Sequence, residues 1–174
     1  YTPNLNFNGV DSFDYIVCDS GLPLPAICDT ATVVVNVNAV NDNPIANNDV
    51  ANVDEDNIVS INVLNNDNDS LDPNNGAIDS SSVTVIVNGL NGTTSVDLVT
   101  GVVTYSPNTN FYGVDSFQYV VCDNGTPAPV LCDSAWVFVT ITPINDQPVA
   151  IQDDFATTVE NSPVVITVTS NDSD

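Results

Sequence analysis

The 174-residue sequence contains no lysine, no arginine and no histidine, against 23 acidic residues, for a formal charge of −23. No salt bridge between side chains can form. Each carboxylate must face water, accept hydrogen bonds or bind a cation. The same absence excludes nucleic acid as a partner, since nothing can neutralise phosphates, and it excludes anionic membrane surfaces. Lysine–asparagine isopeptide crosslinks are impossible. A general base would have to be a carboxylate, a cysteine or a tyrosine, and the carboxylates recur by repeat instead of converging on one cleft, so no enzyme is expected. No stretch reaches the ~20 apolar residues of a membrane-spanning helix, so no membrane insertion is expected. A field of this sign does concentrate metal cations.

What is present argues for a folded chain. Hydrophobic residues make up 43% of it, and Val and Ile fall at alternating positions, unlike the composition of acidic disordered chains. One hairpin is written twice. Asp11 to Cys18 runs into a Pro/Gly loop and returns from Cys28 to Val35; Asp115 to Cys122 and Cys132 to Val139 repeat it, Cys18 recurring as Cys122 at an offset of 104. Both arms alternate with period two, the pattern of a strand with one buried face. Phe117, Tyr119 and Val121 share that face with Ala135, Val137, Val139 and Ile141. Parity then sets Cys122 and Cys132 together on the other face, one at each end of the loop, and a slip of one residue would separate them. Disulfides Cys18–Cys28 and Cys122–Cys132 are expected, with cross-strand pairs summing to 46 and 254. Free thiols are the competing state. Zinc is disfavoured, because a C-x9-C spacing without histidine lacks the clustering of zinc sites. Paired cysteines indicate an oxidising compartment.

Repeats also set the domain organisation. Residues 1–42 read as the back half of a repeat, 43–146 as a complete repeat and 147–174 as the first part of another, a window on a long tandem array. The polar stretch Val40-Asn41-Asp42-Asn43-Pro44 recurs as Ile144-Asn145-Asp146-Gln147-Pro148. Within 43–146 seven strands are expected, near 50–53, 58–64, 83–87, 93–98 and 102–106 and then the hairpin, with Val83, Val85 and Val87 inward. Seven short alternating strands and no helical period predict an all-β immunoglobulin-like sandwich.

The text of the whole unit resembles the bacterial Ig-like repeat of giant surface proteins, a group close to cadherin-like and VCBS-type repeats. The residues that carry the resemblance include Asp49, Glu55, Ile61-Asn62-Val63-Leu64-Asn65-Asn66-Asp67, Thr104-Tyr105-Ser106-Pro107, Gly113-Val114-Asp115-Ser116-Phe117, Tyr119 and Asp123. The paired cysteines are similar to adhesin repeats of gliding and marine Bacteroidetes. The resemblance implies tandem cadherin-like sandwiches in an extracellular stalk or adhesin on a bacterial surface. The implied partners are neighbouring repeats, other copies of the filament, or a surface glycan.

Asn41-Asp42-Asn43-Pro44 resembles the calcium linker of cadherins, and Asp67-Asn68-Asp69 their D-x-D loop. Sandwich topology would gather Asp11, Asn41, Asp42, Asp67 and Asp69 at the first junction. At the second it would gather Glu55, Asp115, Asn145, Asp146, Asp172 and Asp174. Calcium takes six to eight oxygens, and either set offers them. The plainer reading is that these are solvated turn residues, in a chain with 25 Asn and 21 Asp. Trp136 and Phe138 stand outward by parity, either as a sugar-stacking or partner patch or as rings covered by their neighbours. Asp29-Thr30-Ala31, Asp69-Ser70-Leu71 and Asp133-Ser134-Ala135 resemble the O-glycan acceptor motif of Bacteroidetes, which makes Thr30, Ser70 and Ser134 candidate glycosylation sites.

Overall fold

The computed structural model describes every residue except 72–75, 126, 154 and 174. The described residues form nine strands: β1 (Gly9–Cys18), β2 (Cys28–Val37), β3 (Asp49–Asp54), β4 (Val59–Ile61), β5 (Ile78–Val87), β6 (Gly92–Val96), β7 (Val103–Pro107), β8 (Gly113–Asp123) and β9 (Cys132–Thr142). Strands β3 to β9 make two sheets, in the orders β3-β9-β8-β5 and β4-β7-β6, while β1 and β2 pair only with each other. All pairs are antiparallel except β3 with β9. The inward residues of the two sheets meet in one core, with Phe117, Tyr119, Val121, Val137 and Val139 of the larger sheet packed with Val63, Val103 and Tyr105. At about 25 cal/mol per Å² of apolar surface removed from water, this shared face is the main source of stability.

Both hairpins adopt the predicted register. Cys122 faces Cys132, Gln118 faces Trp136 and Ser116 faces Phe138; Cys18 faces Cys28, Asp14 faces Thr32 and Ser12 faces Val34. Both disulfides form. Two local expectations need correction. The strand expected at 58–64 is only Val59–Ile61, because the chain turns at Val63, although Ile61 and Val63 are still buried. Val87 is exposed, not inward. A register shift between Val85 and Val87 sets Val85 opposite Tyr119 and Val87 opposite Gln118, so the alternation breaks at the end of β5.

Residues 147–174 contain no strand among those described, but the bridge Val149↔Ser173 repeats the bridge Ile45↔Asn68, whose residues lie 104 and 105 positions earlier. Backbone detail repeats as well. Asn6 and Asn110, 104 apart, have φ of 57° and 55°. This left-handed conformation is one that asparagine tolerates better than most residues.

Candidate functional site

The pole where the chain enters the complete sandwich is built from a tyrosine and several carboxylates. Tyr119, fully buried on β8, donates its hydroxyl to Asp67 Oδ2 at 2.8 Å, and it also lies within reach of the carbonyls of Val63 and Asn47. Asp67 Oδ1 accepts the Asn47 amide at 2.7 Å. The same bond recurs downstream, where Asp172 Oδ1 accepts the Ile151 amide. Asp49 opens β3 beside this group. Burial, and then the charge of Asp67, push its carboxyl up to about 6 against hydrogen bonds from Tyr119 and Asn66. Burial also raises Asp67, helped by the charge of Asp133 and opposed by Asn47 and Tyr119. Sequence reasoning missed Asp49, although its recurrence as Asp153 was a readable signal.

The expected junction ligand Asp115 is turned inward instead. Its carboxylate is buried and accepts four hydrogen bonds: the Tyr105 hydroxyl at 2.7 Å, and the amides of Leu90, Asn91 and Ser116. Burial alone would raise this carboxyl, but the bonds from Tyr105 and the three amides outweigh it and hold it below the usual range. Its task is to fasten the β5–β6 turn to β8. A Cβ at Gly89 would lie 2.3 Å from Asp115 Oδ2, so the close approach requires glycine there. Asp11, though exposed, repeats two of these bonds, accepting the Tyr1 hydroxyl and the Ser12 amide. Ring stacking repeats too, with Tyr105 over Phe117 at 6.1 Å and Tyr1 over Phe13 at 6.3 Å.

Of the other expected residues, Glu55, Asn145 and Asp146 line one groove, while Asn41, Asp42 and Asp67 have separate partners. Asn41 reaches the second hairpin, its Nδ2 donating to Asp123 Oδ2 at 2.6 Å and to the Pro129 carbonyl at 2.9 Å. Asp42 lines an open groove of about 450 Å³ with Asn6, Val40 and Leu71. A groove of about 510 Å³ is lined by Asn110, Ile144, Asn145, Asp146 and Glu55. Glu55 is buried and accepts the Ile144 amide. Asp69 lies beside the Asn68 bridge residue. Asp174 lies outside the described residues. Trp136 is half-buried, whereas Phe138 is 43% exposed beside its β3 partner Val50, which is 81% exposed. Thr30, Ser70 and Ser134 are all exposed.

Two oxygens, one on the linker and one on β3, suit a cation. Asn41 Oδ1 and Asp49 Oδ2 are buried and receive no hydrogen bond. In a chain without cationic side chains, a proton, a water or a metal ion must answer such oxygens. Yet no three Asp, Glu, Cys or His side chains among the described residues converge as a metal site. A calcium ion here would need amide and carbonyl oxygens alongside Asp49 and Asp67, a mixture that calcium accepts.

A family model described as a bacterial Ig domain matches residues 41–140, more than half of the chain. The fold is similar to protocadherin gammaB7 EC3–6, solved as a cis-dimer, with 20% identity and a TM-score of 0.56 over 88% of this chain and 37% of that one. It is similar to protocadherin Gamma B7 extracellular cadherin domains 1–4, with 19% identity and a TM-score of 0.59 over 92% and 39%. It is also similar to protocadherin Gamma B2 domains 3–6, with 18% identity and a TM-score of 0.54 over 90% and 38%. The chain thus spans under two-fifths of the length of these structures, and identities this low show the fold alone. No protein of curated function matches it.

Proposed function

Because the chain belongs to the bacterial Ig domain family, we propose that it is a structural repeat segment of a long extracellular bacterial adhesin or surface filament, holding a distal binding element away from the cell. Residues 43–146 are one unit of the array, 1–42 the end of the unit before it and 147–174 the start of the unit after it. The observation that carries this reading is the repetition at offset 104 of register, disulfide and Tyr–Asp–Phe grouping in β1–β2 and β8–β9. A binding or catalytic site made once has no reason to be copied in this way, whereas a spacer consists of copies. The role is mechanical, not catalytic. Among the described residues no helix is long and apolar enough to cross a membrane.

Calcium at the first junction would involve Asn41, Asp42, Asp67, Asp69 and Asp49, and at the second Glu55, Asn145, Asp146 and Asp172. Asp115, its carboxylate buried under four hydrogen bonds, leaves the second set, and the exposed Asp11 stays with the first. Bound there, calcium would relieve carboxylate repulsion at distances too short for bulk salt to screen. Chains of two, three and four tandem units should gain a constant increment of length per unit in small-angle scattering, and compact or randomly coiled arrays would overturn the stalk reading. Calcium should raise Tm and stiffen the array beyond NaCl of equal ionic strength. Identical curves in the two salts would remove the metal and leave the junctions as solvated loops.

A second reading is favoured by the Phe138–Val50 pair on an open sheet face, with Trp136 two residues along β9. Such a patch suits a sugar or another copy of the filament. Trp136→Ala and Phe138→Ala should abolish glycan or cell binding if that reading holds, and a pure spacer should be indifferent. O-glycans at Thr30, Ser70 and Ser134 would appear as mass additions on peptides from the native source.

A further inference from the structure

Every cysteine in the chain is followed by aspartate: Cys18-Asp19, Cys28-Asp29, Cys122-Asp123 and Cys132-Asp133. In the second hairpin these aspartates flank the disulfide and serve two purposes. Asp123 is buried, and its Oδ1 accepts the amides of Gly125 and Leu131, which shapes the loop. Its Oδ2 faces outward from the loop to Asn41, whose amide also reaches the Pro129 carbonyl. Five residues further along, the Ala46 amide donates to Asp133 Oδ2 at 3.0 Å, while Asp133 Oδ1 is taken by Ser134. The linker 41–46 is therefore pinned on both sides of Cys122–Cys132, and Pro44 between the two points is buried.

We propose that the disulfide-bounded Cys-Asp/Cys-Asp hairpin end is a docking socket for the linker that enters its own unit, holding Asn41 at the joint with the preceding unit, and that the disulfide serves this joint more than the fold of the sandwich. The ten β8–β9 pairs and the core beneath them already hold the register. The sulfurs sit at the strand ends, outside that core, and the bond sets the spacing of the two acceptors. The first hairpin has the socket preformed. Asp19 Oδ1 accepts Gly21 and Ile27 as Asp123 accepts its loop amides, and Asp29 Oδ1 accepts Thr30. The inserting segment recurs as well. Asn145 and Ala150 stand 104 residues beyond Asn41 and Ala46, with Pro148 matching Pro44. The segment recognised is thus the Asn-Asp-x-Pro-x-Ala linker that leads into each repeat. Extending one observed joint to the whole array rests on the stalk reading.

The test is NMR relaxation on the 174-residue chain, comparing wild type, Asn41→Ala and the paired change Cys122→Ser/Cys132→Ser. Rigid backbone has an order parameter of about 0.85 and flexible backbone below about 0.6. Residues 41–43 should fall from the first value to the second in both variants, while Ile45, held by its bridge to Asn68, and β8 and β9 keep theirs. If 41–43 stay rigid in either variant, the proposal is overturned. It is also overturned if β8 and β9 loosen together with the linker in the cysteine variant, since the bond would then serve the fold. Should the cysteine variant fail to fold, that too assigns the bond to the fold, and Asn41→Ala still decides the socket. None of these outcomes touches the length increment per unit, which judges the stalk reading separately.

Discussion

The hairpins β1–β2 and β8–β9 share text, register, a disulfide and a tyrosine–aspartate bond, yet their inner faces have opposite fates. Phe117 and Tyr119 are fully buried, while their counterparts Phe13 and Tyr15 are 44% and 48% exposed. The larger sheet around β8–β9 meets a second sheet, β4-β7-β6, and β1–β2 meets none among the described residues. The ladder and the covalent loop are local properties, complete within about 30 residues. Burial requires strands contributed from elsewhere, and a lone two-stranded hairpin is marginal in water. Its disulfide, closing a short loop, matters most where the core contributes least.

The contrast can be broken most strongly at the paired phenylalanines. Phe117→Ala should cost about 3–5 kcal/mol, since it removes a fully buried ring and leaves a cavity, and thermal unfolding would show a large drop in Tm. Phe13→Ala in the same chain should barely move that transition. Placing a copy of residues 43–104 ahead of Tyr1 should supply the absent strands, after which Phe13→Ala should cost as much as Phe117→Ala. If Phe13 stays exposed in that fusion, residues 1–42 are not the end of a like unit.

A smaller difference is expected at the paired aspartates. Asp115→Asn keeps the shape but turns an acceptor into a donor facing the Tyr105 hydroxyl and backbone amides, which should cost about 2–3 kcal/mol. Asp11→Asn, with both partners exposed, should leave denaturant midpoints unchanged. Equal effects at both sites would show that the bond matters without burial.

The smallest difference is in pH dependence, because among the described residues Tyr15 has no counterpart of the Asp67 and Asp49 group that surrounds Tyr119. Asp49 is raised to about 6 from an ordinary value of 3.8, so the folded unit keeps a proton that the unfolded chain releases. Its contribution to stability is therefore full below about pH 4 and lost as pH rises through about 6. Asp115, held below its ordinary range, works the other way, and its contribution fades as pH falls below 3.8. Asp49→Asn should flatten the decline in Tm between pH 4 and 6. A profile with the same slope in that variant would assign the decline to other groups.

Local pattern wrote most of the sandwich into the sequence. Period-two alternation and the offset of 104 specify which residues of β8 and β9 face each other, that Cys122 meets Cys132, and that Phe117, Tyr119 and Val137 line a core. Each of these depends only on neighbours along one or two strands. Val87 escaped that logic because a bulge slips the ladder, and nothing in an alternating run marks where a slip occurs. Asp115 read as a junction ligand because its place at the start of β8 is at the correct pole. Its inward turn depends on Tyr105 and on amides 24 and 25 residues away. Asn41 meets Asp123 across 82 residues, a contact made when the linker folds back on the hairpin end. A side chain's periodicity tells which face it occupies. Its hydrogen-bond partner is set by which loops the packing of two sheets brings to the same pole, and with acceptors so abundant in this chain, composition could not choose among them.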